Sequence, residues 1–520
     1  MFAYSISKFF NAVQKDFIID WLEMYGKSAG FHKKKSVFQQ KLFASGINLE
    51  NKIFDLLKQT FNQDSEGNSL NVVDLTHLKF QNFTHKERTL KHLRDPQKPL
   101  MIYQAFLCGS DEFGNERPFG IPDLIMRKDI VQKLMKKNIG NTDADISLLQ
   151  EETKEEDLGN TQENDYVIVD MKKSLKLNKD NTVSKSTNNY NWLEFQLCCY
   201  EKFLAHELQR PPRSVYVLSL DKSDNIIIGR IPYVEQDIKT KIEYLKKLSQ
   251  EGHKWVPYPI PTNDYMYPNM KNTYDFVWRD VKLDIAKKIG ELTLLPYMTI
   301  EIRRELWNNC VKTYKTANCV DVLKSLNKVP EYVLEIVKAN QDIGLEINAE
   351  KVKAELKTQI NNRKLIFVDL ETSQKGQVFL SCVYDQDKKE HTQYYCCKHE
   401  LRDNHVLEKT KALIKGFNAD EYCVIYYAGQ EEKMLEIQNG VDLYQILRKH
   451  NYAKSGVFSY QLKEIYNNTF RRKIETSITN GLDAMNLYEE DDEKHKNNLC
   501  EYVKKDVDVM VKLVSRFLSY

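Results

Sequence analysis

The sequence lacks the features that mark a secreted, membrane-spanning or disulfide-stabilised protein. No run approaches the ~20 consecutive apolar residues of a transmembrane helix. Lys8, Lys15 and Asp16 occupy the N-terminal stretch in which a signal peptide is apolar. The ten cysteines include no C-x-x-C pair and no zinc-ligand spacing, so we expect reduced thiols. These absences predict a soluble intracellular protein with no membrane partner.

A large net charge is absent as well. The 76 Lys and Arg residues are balanced by 74 Asp and Glu residues, which leaves a formal charge of +2. Any nucleic-acid binding must therefore come from local basic patches. The chain of 520 residues is too long for one hydrophobic core, which predicts roughly two to four domains. Its 42% hydrophobic and 29% charged residues are typical of a folded globular protein.

The pattern along the chain divides it into three blocks. Residues 1–233 begin with helical periodicity and become strand-rich after Leu100, and an acidic segment, 138–165, is predicted to be a mobile surface insertion. Residues 234–362 look mostly helical, although a passage rich in Pro and Tyr interrupts them. Residues 363–520 alternate strands with amphipathic helices, which indicates an α/β domain. The predicted strands are Met101–Leu107, Asp123–Met126, Tyr166–Asp170, Ser214–Leu220, Leu365–Val368, Val378–Tyr384, Thr392–Cys396 and Tyr422–Tyr427.

The first candidate site begins with an apolar strand that ends in an Asp-x-Lys motif. In Tyr166-Val-Ile-Val-Asp170-Met-Lys172, alternation along the strand puts Asp170 and Lys172 on one face. Asp123 adds a second carboxylate at the start of another strand. Two carboxylates that converge with a lysine can hold a divalent metal and activate water. The alternative interpretation of an isolated Asp-x-Lys motif is an ordinary surface salt bridge without a catalytic role.

Three further residues extend this pattern. Gln196 and Tyr200 lie four residues apart, which places them on one helix face, and Glu50 falls on a predicted helix after a glycine. Four motifs follow one another in the chain: an acid on a helix, then G-x-x-D, D-x-K and Q-x-x-x-Y. This order resembles the RecB-like branch of the PD-(D/E)XK nucleases.

That resemblance implies a restriction-endonuclease-like α/β core and a role for each motif residue. It makes Glu50 the acid of the first motif, Asp123 the central metal ligand, and Asp170 with Lys172 the (D/E)-x-K pair. The trailing motif of Gln196 and Tyr200 is expected beside the DNA. Many relatives hold an iron–sulfur cluster with four cysteines. This chain lacks those thiols, so we predict no iron–sulfur cluster.

A second candidate site lies in the third block. Leu365-Ile-Phe-Val-Asp369-Leu-Glu371 is an apolar strand whose two acids point to one face, as two-metal sites require. Tyr502 and Asp506 lie one turn apart on the last predicted helix, 498–518. A strand D-x-E with a late Y-x-x-x-D resembles the DEDDy class of RNase H-like 3′–5′ exonucleases. The resemblance implies that the carboxylates hold two Mg²⁺ or Mn²⁺ ions and that Tyr502 orients the attacking water.

The DEDDy class needs one more acid in the middle of the domain. Glu431 falls where the motif aspartate is expected, and Glu432 is the alternative. This is a departure from the family pattern, because glutamate reaches one methylene further than aspartate. Asp442 resembles the aspartate at the start of the next helix, a supporting position.

Together the motifs resemble a fusion of a RecB-like nuclease, residues 1–233, with a DEDDy exonuclease, residues 363–520. Residues 234–362 resemble a helix-hairpin-helix-like connector, with a rigid spacer as the alternative. The resemblance implies a metal-dependent DNA nuclease that processes ends in recombination, repair or replication, with DNA favoured over RNA. Two alternatives stay open: a non-catalytic nucleic-acid scaffold, and a protein in which one centre is active. Short basic runs that could contact nucleic acid are 33–35, 127–128, 172–173 and 471–473.

Overall fold

The computed structural model describes the chain apart from residues 1, 35–36, 62–71, 79–81, 96–98, 115, 139–164, 222, 475–477, 479 and 520. The predicted insertion 138–165 therefore lies almost wholly outside the described residues. The chain divides into two compact units, Met1–Ile285 and Ala286–Tyr520. The division falls inside the range predicted as a connector, so each unit takes part of that range. Both units mix helices and sheets, which confirms the predicted multidomain α/β class.

The first unit is built around a six-stranded sheet. The strands of this unit, in chain order, are β1 (Phe2–Ser5), β2 (Val72–Asp74), β3 (Met101–Tyr103), β4 (Leu107–Cys108), β5 (Arg117–Gly120), β6 (Leu124–Arg127), β7 (Tyr166–Met171), β8 (Val215–Leu220) and β9 (Ile226–Ile231). The main sheet has the order β2-β3-β6-β7-β8-β9, and β1, β5 and β4 form a smaller sheet. The predicted strand Met101–Leu107 is thus two strands in different sheets, because Gln104 adopts a left-handed conformation with φ of 55° between them.

Helices cover both faces of the main sheet. The helices of this unit are α1 (Phe10–Val13), α2 (Ile18–Trp21), α3 (Val37–Thr60), α4 (Asn82–Leu93), α5 (Lys128–Asn138), α6 (Tyr190–Glu207) and α7 (Ile238–Glu251), and α8 (Arg279–Ile289) spans the division. The strand β7 is buried at every position because helices cover both of its faces, and it pairs antiparallel with β6 and parallel with β8. Its Ile168 joins the core that contains α6 residues, whereas Val167 and Val169 join the core that contains α3 residues. This alternation directs Asp170 to the α6 side.

The second unit has a five-stranded sheet in the order β13-β12-β11-β14-β15. Its strands are β10 (Glu346–Ile347), β11 (Lys364–Thr372), β12 (Val378–Asp385), β13 (Glu390–Tyr395), β14 (Tyr422–Tyr426), β15 (Val441–Asp442) and β16 (Ala453–Lys454). Its helices are α9 (Ile300–Asn308), α10 (Cys319–Leu326), α11 (Glu331–Gln341), α12 (Ala349–Ile360), α13 (His405–Lys415), α14 (Gln430–Leu435), α15 (Leu443–Lys449), α16 (Leu462–Phe470), α17 (Gly481–Glu490) and α18 (Asp492–Leu518).

The central strand β11 sorts its side chains between two cores. Ile366 and Val368 pack with residues of α13 and α14, whereas Leu365 and Phe367 join the core that includes α18. Asp369 and Glu371 continue the second set of alternating positions, so they face α18. The parallel pairing of β11 with β14 brings the carboxyl ends of both strands to one edge of the sheet. The start of α14, which follows β14, therefore lies near the acids of β11.

Candidate active sites

Three carboxylates converge where β11 meets α18. One oxygen each of Asp369, Glu371 and Asp506 lies within 4.8 Å of the other two. Tyr502, one turn before Asp506 on α18, is buried, and burial, followed by the charge of Asp506, raises the pKa of its hydroxyl. Two motifs that are distant in the sequence thus form one cluster: Asp369 and Glu371 lie on β11, whereas Tyr502 and Asp506 lie on α18.

The middle acid comes from the start of α14. Glu431 is buried, and its Oε2 atom has no hydrogen-bond partner among the residues that the structure describes, whereas Glu432 is exposed. A turn with positive φ at Ala428 and Gly429 sets this phase of the helix. Asp442 holds the turn because its Oδ1 atom accepts from the Ala428 N–H at 3.1 Å. The same Asp442 caps α15, so its role is to fix the backbone that carries Glu431.

Burial and mutual repulsion of the carboxylates favour the binding of cations at this cluster. Burial, and then the neighbouring charges of Asp506 and Glu431, raise the pKa of Glu371 to about 8. Burial raises the pKa of Glu431 to about 7, against the opposing effect of the backbone N–H groups at the helix start. The pKa of Asp369 is likewise raised, by burial and by the other three acids. Each ionised carboxylate makes ionisation of its neighbours less favourable, and bound divalent cations would offset this repulsion.

A lysine that the sequence motifs do not include also reaches this cluster. The Nζ atom of Lys463, on α16, lies 3.0 Å from Oδ1 of Asp506 and 3.9 Å from the ring centroid of Tyr502. It opposes the rise in the pKa of Asp369, Glu371 and Asp506. No sequence signal separates Lys463 from an ordinary solvated helix lysine, because its position depends on how α16 packs against α18.

The first unit also brings its Asp-x-Lys residues together. Asp123 immediately precedes β6, whose Leu124 pairs with Val169 of β7, so the same register sets Asp123 opposite Asp170. The Met171 N–H donates to Oδ2 of Asp123 at 3.0 Å. The Lys172 Nζ atom lies 2.5 Å from Oδ2 of Asp170, whose side chain is 3% exposed. Burial and the Asp170 charge raise the pKa of Asp123 well above its ordinary value, and Lys172 opposes this rise.

Glu50 lies on α3, one turn before the buried residues Ile53 and Phe54. Its charge raises the pKa of Asp123 and that of Lys172, so it lies near the pair. The ring of Tyr103 stacks on Phe54 at 4.2 Å, and burial, followed by the charges of Glu50 and Asp123, raises its pKa to about 12. Among the described residues, however, Glu50, Asp123 and Asp170 do not form a trio of ligand atoms as tight as that of the second unit.

The trailing Q-x-x-x-Y motif packs directly on the G-x-x-D motif. Gln196 Nε2 donates to the Tyr200 hydroxyl at 3.0 Å, and both lie on α6. A Cβ atom added to Gly120 would lie 2.0 Å from Cε1 of Tyr200. Gly120 is therefore required by the close approach of this ring. The charges of Asp170 and Asp123 contribute, after burial, to the raised pKa of Tyr200, so its hydroxyl lies near them.

The donor sets fit hard divalent cations to different degrees. Carboxylate oxygens are the ligands that Mg²⁺ and Mn²⁺ prefer. In the second unit, the convergent trio and the unpartnered Oε2 atom of Glu431 supply such ligands. In the first unit, a lysine already neutralises part of the smaller acid set.

Part of the candidate basic surface is neutralised locally. Lys33 Nζ lies 2.5 Å from a Glu23 oxygen, and Arg127 pairs with Asp129 at 2.7 Å. Lys34 forms an ion pair with Asp280.

Comparison with known proteins locates one domain. Residues 366–518 match the family model of the RNase H superfamily. A search of curated proteins and a search of solved structures found no match. The family match confirms an RNase H-like domain in the third block. It supports a hydrolase of the nuclease type that acts on nucleic acid, a class that typically uses divalent metals.

Within the described part of the chain, no helix is long and apolar enough to cross a bilayer.

Proposed function

We propose that the chain is a metal-dependent DNA nuclease whose RNase H-like domain acts as a 3′–5′ exonuclease of the DEDDy type. The observation that carries this proposal is the cluster of Asp369, Glu371 and Asp506 inside the domain that matches the RNase H superfamily. Bound Mg²⁺ or Mn²⁺ would polarise the phosphodiester and stabilise the charge that develops on it. Asp369, Glu371, Glu431 and Asp506 would hold the two ions.

The remaining residues of this site position the reaction. The raised pKa of Tyr502 keeps its hydroxyl protonated, so it can orient a water molecule beside Asp506. Lys463 holds both of these groups from the α16 side. It also places a fixed positive charge where the substrate phosphate would add negative charge.

For the first unit we propose a PD-(D/E)XK nuclease site. Asp123 and Asp170 would bind the metal, with Glu50 beside them, and Lys172 would stabilise developing negative charge. The cross-strand position of Asp123 and Asp170 supports this assignment. Gln196 and Tyr200 would support the site from α6. DNA end processing is proposed as the shared role of both units, and residues 234–362 as the connector between nuclease domains 1–233 and 363–520.

The test is digestion of single- and double-stranded DNA labelled at the 3′ or the 5′ end, with Mg²⁺, Mn²⁺ or EDTA. We expect metal-dependent shortening from the 3′ end. Tyr502→Phe should lower this rate by roughly 10²-fold, because it loses the hydroxyl that orients water. Glu501→Gln is the matched control, since Glu501 is the exposed neighbour that pairs with Lys505 at 2.6 Å.

Two other outcomes separate the alternatives. Tight DNA binding without cleavage in any metal would favour the non-catalytic scaffold. Cleavage that depends on the second unit alone would favour a single active centre, an alternative that the less complete acid set of the first unit supports.

A further inference from the structure

Six side chains of the second unit form what we call the tyrosine–arginine patch: Tyr297, Tyr332, Tyr427, Tyr444, Tyr460 and Arg448. Neighbouring rings meet at centroid distances of 5.5 Å for Tyr332 and Tyr460, and 6.1 Å for Tyr444 and Tyr460. Tyr297 meets Tyr332 edge-on at 6.1 Å, and Tyr427 meets Tyr444 at 5.7 Å. The patch joins the segment before α9 to the RNase H-like domain.

The arginine of the patch is held by aromatic rings rather than by an acid. The Arg448 guanidinium carbon lies 5.6 Å from the ring centroids of both Tyr332 and Tyr444. Its Nη1 atom donates to the Tyr444 hydroxyl at 3.2 Å. Within the described ranges, no carboxylate lies within ion-pair distance of Arg448, whereas the buried Arg303 of the same unit pairs with Glu291 at 3.0 Å. The tyrosine rings fix the orientation of the guanidinium, and most of its N–H groups can donate to an anion.

Tyr297 presents its ring to solvent. It is 54% exposed, although it packs against the buried Tyr332 on one edge. Its backbone lies in the left-handed region with φ of 58°, which is rare for a bulky residue. The fold therefore maintains an unfavourable backbone conformation at the residue whose ring it exposes, a combination that core packing does not require.

The patch shares a backbone support with the candidate active site. Tyr427 directly precedes the turn at Ala428, whose N–H donates to Asp442. The Tyr444 N–H donates to the same oxygen of Asp442 at 2.9 Å. Since that turn leads into α14 and Glu431, the part of the patch formed by Tyr427 and Tyr444 lies at the edge of the sheet where the carboxylates converge.

We infer that the tyrosine–arginine patch binds the single-stranded end of the nucleic-acid substrate beside the cleavage site. The exposed Tyr297 ring stacks on a base, and Arg448 binds a backbone phosphate. Single strands are favoured over duplexes because stacking on a side chain needs a base that is free of its partner strand. This inference rests on the proposed function, and it names the part of the substrate that the second unit holds.

The test measures binding separately from cleavage. The full-length protein is titrated into a fluorescein-labelled single-stranded oligonucleotide of about 12 nucleotides, a length within the usual range of such sites. Ca²⁺ replaces Mg²⁺, and fluorescence anisotropy gives the Kd at several salt concentrations.

Tyr297→Ala should raise the Kd by about 5- to 100-fold, the usual effect of one lost stacking contact, whereas Tyr297→Phe should leave it near the wild-type value. Arg448→Gln should raise the Kd and reduce the slope of log Kd against log salt by about 0.7, as expected for one lost phosphate contact. Arg448→Lys should recover part of the affinity. Blunt duplex DNA should bind Tyr297→Ala as it binds wild type.

Lys364→Gln is the charge-matched control. Lys364 lies at the opposite end of β11 from Asp369 and pairs with Asp387 at 2.6 Å, so its removal should not change the Kd. The thermal unfolding midpoint of each variant confirms folding. If Arg448→Gln unfolds, Tyr297→Ala still decides the matter, because its ring is exposed.

The inference is overturned if Tyr297→Ala and Arg448→Gln bind the single strand as tightly as wild type. In that case wild-type cleavage from the 3′ end would leave the proposed function intact. A wild-type protein that neither binds nor cleaves any nucleic acid would overturn both.

Discussion

The two units carry acidic sites that differ in how their charge is balanced. In the first unit, two aspartates from neighbouring strands share Lys172, which sits two residues beyond Asp170 on the same strand end. In the second unit, four acids come from β11, α14 and α18, and Lys463 contacts one of them at 3.0 Å. With its glutamate set aside, the first site has a formal charge of −1, from two aspartates and one lysine. The second site has a formal charge of −3, from four acids and one lysine.

This difference in charge should change how tightly each site binds a metal ion. A lysine within hydrogen-bond reach lowers the electrostatic demand for a cation, whereas an uncompensated cluster of buried acids raises it. We therefore expect the second unit to bind divalent ions more tightly and to depend on them more strongly. Variants of each site test whether the two units differ in this way.

The largest expected effect comes from exchanging one carboxylate in each site. Asp369→Asn should lower metal-dependent shortening from the 3′ end by roughly 10³-fold, because a lost metal ligand removes several kcal/mol of transition-state stabilisation. Asp170→Asn should leave this activity intact and lower only cleavage by the first unit. Rates on 3′-labelled single strands measure the difference, and equal losses in both variants would show that the sites do not act separately.

The next effect concerns the first unit alone. Gly120→Ala would place a Cβ atom 2.0 Å from Cε1 of Tyr200, so the Tyr200 ring must move. Overpacking of this kind costs about 1–3 kcal/mol of unfolding free energy. Thermal unfolding and cleavage assays should show a destabilised first unit with normal 3′ shortening. Gly46→Ala on α3 is the control, because no described atom lies within 4 Å of its added Cβ. A similar loss of stability in this variant would remove the steric explanation.

A smaller effect is expected at Lys463, where a substitution should raise the affinity for metal and lower the turnover rate. Lys463→Met removes a cation from Asp506, so Mn²⁺ should bind about 3- to 10-fold more tightly. Turnover should nevertheless fall by about tenfold, since Asp506 and Tyr502 lose the group that positions them. Isothermal titration calorimetry gives the affinity, and single-turnover rates give the chemistry.

Lys505→Met, one residue before Asp506 and paired with Glu501, should change neither quantity. Weaker Mn²⁺ binding by Lys463→Met would mean that the lysine is only a structural support.

The smallest effect is a dependence of stability on pH. The pKa of Glu371 is raised to about 8 in the metal-free fold, above its ordinary value of about 4.5, so the folded state binds the proton more tightly than the unfolded state. The metal-free protein should therefore lose stability as pH rises from about 4.5 to about 8. Differential scanning calorimetry should show that Glu371→Gln flattens this slope, and that Mg²⁺ stabilises wild type more at pH 8 than at pH 6. A slope unchanged in Glu371→Gln would contradict the assignment.

Much of the second site could be predicted from the sequence because its motifs are local. Strand alternation puts Asp369 and Glu371 on one face, and helical spacing does the same for Tyr502 and Asp506. Glu431 was favoured over Glu432 by the motif position alone, because which of the two is buried depends on the turn at Ala428 and Gly429 that sets the phase of α14. The break at Gln104 in the predicted strand Met101–Leu107 was not predictable from the sequence, because glutamine rarely adopts a positive φ.

The amino-acid pattern alone determined the strands that carry Asp170, Asp369 and Glu371, the helix that carries Tyr502 and Asp506, and which of these acids share a face of their element. It also determined that residues 366–518 carry the pattern of an RNase H-like domain. Only the tertiary structure decided which elements meet, and so placed Lys463 against Asp506, Tyr200 against Gly120 and Arg448 between two tyrosine rings. The physical reason is that periodicity fixes the direction of a side chain within its own element, whereas its partners depend on packing between elements that are distant in sequence.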